Sequence, residues 1–429
     1  MASITTNSDK RPDSPSVLAS FRATPVPVRY LLGGILVNQA GAFAQSFLLL
    51  YLTVNRFSVG QAGIALTVYS AGAVLGTLTG GEVTHRAGPR NTIIGAMTVS
   101  AVLISTVPWL ATPALYGVLL VVVGLAGLAT QAYRPASSVL LAELMPAENR
   151  VMAFAMQRTA ISAGSALGPL IAAALVLVDW DLLFWVDGLT ALAYAGLALI
   201  FFPAGTSTRA QERTNVPTRS AYLALLRDGR FLLFLLSMLL GALIYGQYYV
   251  ALPLQITADG YPTAVYSAVL VVSSLTLILF ELKVTSYTQN RPAHRVSAFG
   301  QAVFGIGLIG YALAALNVTV LFIATLLVAF GAMFSGPMMF SYPATFPDTV
   351  KARYIAAHQA SFGLGLALGP VFGVAVWEAL HRGVWWVCGL LGLVSAVLAL
   401  VSMAPRADAA PREDPELRED AAPQEDAVP

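Results

Sequence analysis

Long uncharged apolar runs alternate with short polar segments along almost the whole chain. Twelve of these runs, near 30–54, 62–81, 91–111, 114–133, 152–177, 182–202, 231–252, 266–288, 296–315, 318–340, 355–379 and 384–403, are apolar over most of their length. Roughly 18 apolar residues in a row suffice for a helix to cross the hydrocarbon core. In lipid, only a helix or a closed barrel satisfies its own backbone hydrogen bonds. The pattern therefore predicts an all-α integral membrane protein of 12 transmembrane helices. The runs also repeat. Arg29-Tyr30-Leu31-Leu32 opens the first and Arg230-Phe231-Leu232-Leu233 the seventh, while Ala166-Leu167-Gly168-Pro169 in the fifth matches Ala367-Leu368-Gly369-Pro370 in the eleventh, each pair 201 residues apart. Two six-helix pseudo-symmetric halves are expected.

The polar segments divide the chain into an N-terminal tail over 1–28, a six-helix bundle over 29–203, a linker over 204–229, a second bundle over 230–403 and an acidic, proline-rich tail over 404–429. A short surface helix is expected at Ala221–Leu226 in the linker, and the last tail reads as a disordered end. Twenty of the 24 Lys and Arg fall in the tails or in alternate loops (86–90, 134–150, 204–230, 291–295 and 351–353). Arg56 and Arg382 lie in the opposite loops, and Arg158 and Lys283 within spans. The positive-inside bias places both termini in the cytoplasm. The first 28 residues have no apolar core and do not read as a cleaved signal peptide.

Composition removes several function classes. With 57% hydrophobic and 11% charged residues and a mean hydropathy of +0.72, the chain lacks the roughly 25% charged residues of a soluble globular protein. Its one cysteine, Cys388, excludes an internal disulfide. Four scattered histidines and that cysteine form no metal-ligand cluster. No phosphate-binding Gly-x-x-x-x-Gly-Lys motif and no clustered catalytic set occur, so neither an ATP-driven motor nor an enzyme is expected, and no basic-aromatic surface points to nucleic acid. The short opposite loops leave no room for an external domain. The excess of Arg over Lys, with abundant Ala, Gly and Val, suggests a GC-rich bacterial genome.

Two motifs carry a family resemblance. The segment after the second run reads Gly81-Glu82-Val83-Thr84-His85-Arg86-Ala87-Gly88-Pro89-Arg90. The fifth run carries Gly164-Ser165-Ala166-Leu167-Gly168-Pro169. Together with Tyr133-Arg134-Pro135-Ala136, and with Tyr248 to Pro253 preceded by Gln247, these make residues 29 to 403 resemble the major facilitator superfamily, in its bacterial drug:proton antiporter-like branch. The chain departs from the branch at His85, where the family usually has Asp, at Ala172 and Ala173, which replace a Gly-Gly pair, and at Leu119 to Val121, where the family's span-four arginine is absent.

The resemblance implies alternating access between the halves. It implies export of a small, fairly hydrophobic organic compound in exchange for protons, with no cofactor beyond the proton gradient. A monomer in the lipid bilayer of the bacterial plasma membrane is expected. The alternatives are proton-coupled uptake of a nutrient or siderophore and, from another class, a non-transporting membrane sensor or scaffold. In the family fold, spans one, four, seven and ten line the cavity. This places Asn38, Gln45, Gln131, Tyr245, Tyr248, Tyr249, Met333, Phe334 and Met338 as candidate substrate residues, since aromatic and Met side chains repack around varied ligands. Core packing accounts for any single Met or Phe at least as well.

Ionisable side chains inside spans are costly and mark functional positions. Glu281 has two readings, as carrier of the coupled proton or as partner of Arg158 in a structural ion pair. Asp187 is a second proton candidate, or a carboxylate favoured by the positive start of its own helix. Gly81, His85, Arg86, Gly88, Arg90, Arg134 and Arg158 are expected at a cytoplasmic gate. Arg134 and Arg158 either brace that gate through Glu143 or Glu148 or attract an anionic substrate. Gly164, Gly168, Pro169, Gly365, Gly369 and Pro370 form small-residue stripes for close helix packing at rocking surfaces.

Overall fold

The computed structural model describes residues 24–203, 225–314 and 317–405, with the side chains of 45, 59 and 263 set aside. Most of the predicted linker and both tails, including Ala221 to Ala224, lie outside the described residues. The described chain is helical, with no strand. Its helices are α1 (Val26–Ala40), α2 (Ala44–Val54), α3 (Val59–Ala87), α4 (Pro89–Leu110), α5 (Tyr116–Leu144), α6 (Arg150–Val176), α7 (Leu182–Phe201), α8 (Gly229–Tyr245), α9 (Ala251–Ala258), α10 (Thr263–Thr288), α11 (Ala293–Ala312), α12 (Val318–Ser341), α13 (Asp348–Leu380) and α14 (Val384–Ser402). Each of the twelve apolar runs falls on one helix, or on two with a break between them. Among the described residues, nine helical runs are long and apolar enough to cross a membrane, the last spanning α13 and α14 together. The first run, split into helices of 15 and 11 residues, and α11, with His294, Arg295 and Gln301 in its sequence, are not among the nine.

The helix ends follow local chemistry. Ser58 and Gln61 form a reciprocal capping box at the start of α3. The Asp228 carboxylate accepts from Phe231 N–H and the Asn317 side chain from Thr319 N–H. Gly88, at φ 81°, turns the chain between α3 and α4 in a conformation most side chains avoid.

Two spans expected to be continuous are broken. The first stops at Gly41, and α2 restarts where Ala44 N–H donates to the Asp187 carboxylate at 2.9 Å. The seventh breaks between α8 and α9, where Gln247 Nε2 donates to the Leu243 and Gly369 carbonyls, both at 3.0 Å. In each case a side chain satisfies backbone groups that the interrupted helix releases, as a buried break requires.

Conversely, Gly81 to Ala87 and Arg134 to Leu144, expected as loops, are helical. The Glu82–Arg86 pair one turn apart (2.7 Å) and the Thr84 hydroxyl bonded to Gly80 O at 2.6 Å support the extension of α3.

Packing inside each half relies on close approach. A side-chain carbon added at Gly72, Gly76 or Gly80 would strike the carbonyls of Gly124, Leu128 and Ala132, so α3 lies directly on the α5 backbone. Gly164 faces the Leu36 carbonyl and Gln39 of α1, and Gly365 faces Leu239 and Ala242 of α8. The two stripes around Pro169 and Pro370 thus each seat a broken helix within one half. The surfaces that join the halves lie elsewhere. Buried hydroxyl pairs such as Ser100–Thr130 (2.8 Å) and Ser237–Ser395 (2.9 Å) add polar ties inside the halves. Large apolar side chains, such as Leu170, Leu177, Ile200 and Val371, point outward, as a lipid surround demands.

Gly76 and Gly63 lie on the same helix but differ in surroundings, because a methyl at Gly63 would meet nothing within 4 Å. Gly76→Val should destabilise the protein by about 1–3 kcal/mol through overpacking, read as a lower thermal midpoint in detergent. Gly63→Ala should leave the midpoint near wild type.

Candidate functional site

The two halves meet through a pair of surfaces related by the sequence repeat. The helices of spans two and eleven, α3 and α13, pack across the seam, and so do those of spans five and eight, α6 and α10. Polar chemistry concentrates there. Arg353, on the second turn of α13 and almost fully buried, donates from Nε to Glu82 of α3 at 2.9 Å. Glu82 also holds Arg86. Where Gly81 faces α13, an added carbon would collide with Ala356. On the second surface, Arg158 Nε of α6 donates to Glu281 Oε1 of α10 at 2.5 Å. Arg158 also reaches the Ala332 carbonyl at 3.4 Å and lies 5.6 Å from the centre of the Phe340 ring. Between the surfaces, Gln359 of α13 donates to the Ser138 hydroxyl of α5 at 2.8 Å, and Arg150 reaches the Ala344 carbonyl.

All these contacts lie toward the helix ends that carry the basic segments 86–90, 145–150 and 351–353. Among the described residues, no hydrogen bond or ion pair is recorded between the halves at the opposite end. The seam is therefore tied at one end.

Glu281 sits at this tie with no exposed surface, matched by the Arg158 cation. Lys283, two residues on, points outward and takes no part. Lipid and apolar side chains raise the cost of an isolated charge, so contact between the two groups offsets part of the cost of burying either.

The other candidate residues are dispersed. Asp187 is buried, and its carboxylate secures the restart of α2 rather than the start of its own helix. His85 is buried in the last turn of α3, Arg86 is exposed beside Glu82, and Arg90 donates to the Leu199 carbonyl at 2.7 Å. Arg134 is half-buried on α5, and neither it nor Arg158 meets Glu143 or Glu148 in a recorded ion pair.

Of the predicted substrate residues, Asn38 donates to the Tyr133 hydroxyl at 3.4 Å, and Tyr248 accepts from the Tyr311 hydroxyl at 2.9 Å. Met333 and Met338 are buried in helix packing. Gln131, Tyr245 and Phe334 keep partial exposure, and Tyr249 is 59% exposed. The side chain of Gln45 lies outside the described set. Glu82, Arg353, Ser138 and Gln359 were not distinguished by sequence reasoning. The signal available was that Glu82 stands within the Gly81–Arg90 segment and Arg353 within the basic run at 351–353.

Comparison with known proteins gives concordant results. A family model described as Major Facilitator Superfamily matches residues 31–342 and 260–426. A Na(+), Li(+), K(+)/H(+) antiporter of Planococcus maritimus is 24% identical over 375 residues, covering 80% of this chain and 87% of the relative. The multidrug resistance protein MdtH of Cronobacter sakazakii is 28% identical over 331 residues, covering 73% and 78%. Among solved structures, the human organic anion transporter MFSD10 superposes with a TM-score of 0.69 at 16% identity, covering 88% of this chain and 100% of that one. The E. coli fucose:proton symporter FucP does so with 0.68 at 14%, covering 89% and 99%. At these identities the structural likeness speaks for the fold.

The Arg158–Glu281 pair has an asymmetric prediction. Arg158→Gln strands a buried carboxylate and should cost about 3–5 kcal/mol, whereas Arg158→Gln combined with Glu281→Gln should recover most of that loss. Thermal midpoints of the purified variants in detergent check the order. A double variant less stable than Arg158→Gln alone would refute it.

Proposed function

The chain belongs to the major facilitator superfamily, and from this premise we propose that it exports a small, fairly hydrophobic organic compound from bacterial cells in exchange for protons. Transport as such follows from the family, and the relatives include a cation/proton antiporter and a multidrug resistance protein. The finer reading rests chiefly on one observation, the Arg158–Glu281 pair that ties the halves at the basic end.

The positive-inside rule makes that end cytoplasmic, with all twelve helical runs crossing the plasma membrane and one chain sufficing. The conformation is then closed inward and open outward. A proton arriving through the outer opening neutralises Glu281 and removes the charge that holds Arg158. The tie loosens, the inner end opens and the proton leaves to the cytoplasm. Substrate enters from the same side. Reclosure around Arg158–Glu281 and Arg353–Glu82 then presents it outward. Binding energy acts here by shifting a two-state equilibrium, so each ligand must favour one state over the other. Gln131, Tyr245 and Tyr249 offer amide and phenol surface along the proposed passage, while Phe334 packs on Phe299 of α11.

A second reading, exchange of a monovalent cation for protons, is favoured by the similarity to the Planococcus antiporter. Inside-out vesicles separate the two. Under the proposal, addition of an organic substrate collapses an imposed pH gradient, and Na⁺ or K⁺ does not. Collapse by the cations alone would favour the second reading, and respiration-dependent accumulation by intact cells would favour import.

For coupling, Glu281→Gln should retain substrate exchange across the vesicle membrane while losing acceleration by the pH gradient. Unchanged acceleration would remove Glu281 from the coupling step.

A further inference from the structure

Within the proposed passage between the halves lies Arg134, for which no counter-charge is recorded among the described residues. The helices assigned to line the passage are α1 and α2, α5, α8 and α9, and α12. Over residues 30–54, 116–142, 231–258 and 318–341, Arg134 is the single Lys, Arg, Asp or Glu. At the seam itself, Arg158 and Glu281 neutralise each other. Among the described residues, no ion pair and no hydrogen bond is recorded for Arg134, and its Nε is buried without a partner. An arginine inside a membrane protein ordinarily pairs with an acid or faces an aqueous cavity, because burial of a lone charge is costly.

The surroundings show which of these applies. Arg134 lies four residues from Ser138, and therefore on the same face of α5 one turn farther from the basic end. Ser138 meets Gln359 of α13 across the seam. One turn farther out on α13, at the same level as Arg134, the position opposite is Gly363. A side-chain carbon there would find nothing within 4 Å. The Ser138–Gln359 contact thus marks the floor where the halves touch. One turn beyond it, helix spacing sets Arg134 on one half against a position on the other that carries no side chain and has open space before it. Gln131, three residues earlier on the same face of α5, adds a partly exposed amide.

From this arrangement we infer that Arg134 is the anchor of a substrate site for a singly charged organic anion, a carboxylate or sulfonate on an apolar body. A planar guanidinium offers paired donors that fit a carboxylate's two oxygens, and such charge-assisted bonds are about twice as strong as neutral ones. The gap at Gly363 admits the headgroup, and the exposed ring of Tyr249 with the partly exposed ring of Tyr245 is left for the apolar part. The unpaired charge also repels cations, so lipophilic amines are excluded by the same residue. The inference rests on the proposed passage between the halves and adds the chemical class of what it carries.

The test uses the full-length purified protein in detergent and three fluorescent probes with one apolar body, 1-pyrenebutyrate, its neutral amide and 1-pyrenemethylamine. Binding of the acid should be tighter than that of the amide by about 10- to 100-fold, the factor expected of a hydrogen bond to a charged group, with the amine weakest. Arg134→Gln should abolish the preference for the acid over the amide, with a thermal midpoint near wild type reporting an intact fold. Arg134→Lys should keep part of the preference.

Equal binding of acid and amide by the wild type would overturn the inference. So would an acid preference that survives in Arg134→Gln. Because binding is read without a membrane or gradient, failure here is separate from failure of export. The vesicle experiment alone decides direction and proton exchange.

Discussion

Charge pairing across a seam surrounded by lipid is the constraint on which this structure depends. Two bundles that each satisfy their backbone internally have no solvent-driven reason to stay together in a bilayer, since lipid tails are as apolar as the helices. Ala344, Ala352 and Ile355 of the second half pack into the core of the first, and the polar contacts described beside them are few and specific. Arg158 meets Glu281, Arg353 meets Glu82, and Ser138 meets Gln359. All lie at one end. A joint of this kind is firm when charged and weak when a proton or competing ion arrives, unlike a continuous apolar interface.

Rigid halves make so small a joint effective. Glycines let α3 lie on α5, α6 on α1, and α13 on α8 at backbone contact. Polar hydroxyl pairs and side chains that repair the two helix breaks complete each bundle. Packed units of this kind do not deform gradually. Under the proposed mechanism, a change at Glu281 is transmitted as movement of one bundle against the other rather than as local softening. The breaks in the first and seventh spans fall at similar places in the two halves, so both bundles carry a bend beside the passage.

Several residues show where sequence reasoning stops. Asp187 reads as an ionisable group in a membrane span, and it is one, but its carboxylate serves the backbone of a helix 143 residues earlier. Met333 and Met338 have the composition of a ligand surface and lie in the helix core. Glu82 stands in the Gly81–Arg90 segment without a distinguishing pattern, and becomes a seam residue only because Arg353 approaches it from the other half, 271 positions away. Arg134 and Arg158 look alike in sequence, yet one is neutralised and the other is not.

The sequence by itself determined the helical class, the positions of the apolar runs, the twofold repeat and the family, because lipid imposes length, hydropathy and backbone saturation on every span and these are local properties of the chain. The tertiary structure decided which charges meet, which helices break, which glycines face a neighbour and where the seam opens. Those outcomes depend on side chains brought together from opposite halves. A buried charge takes its role from the group across from it, and no periodicity along one helix specifies that group.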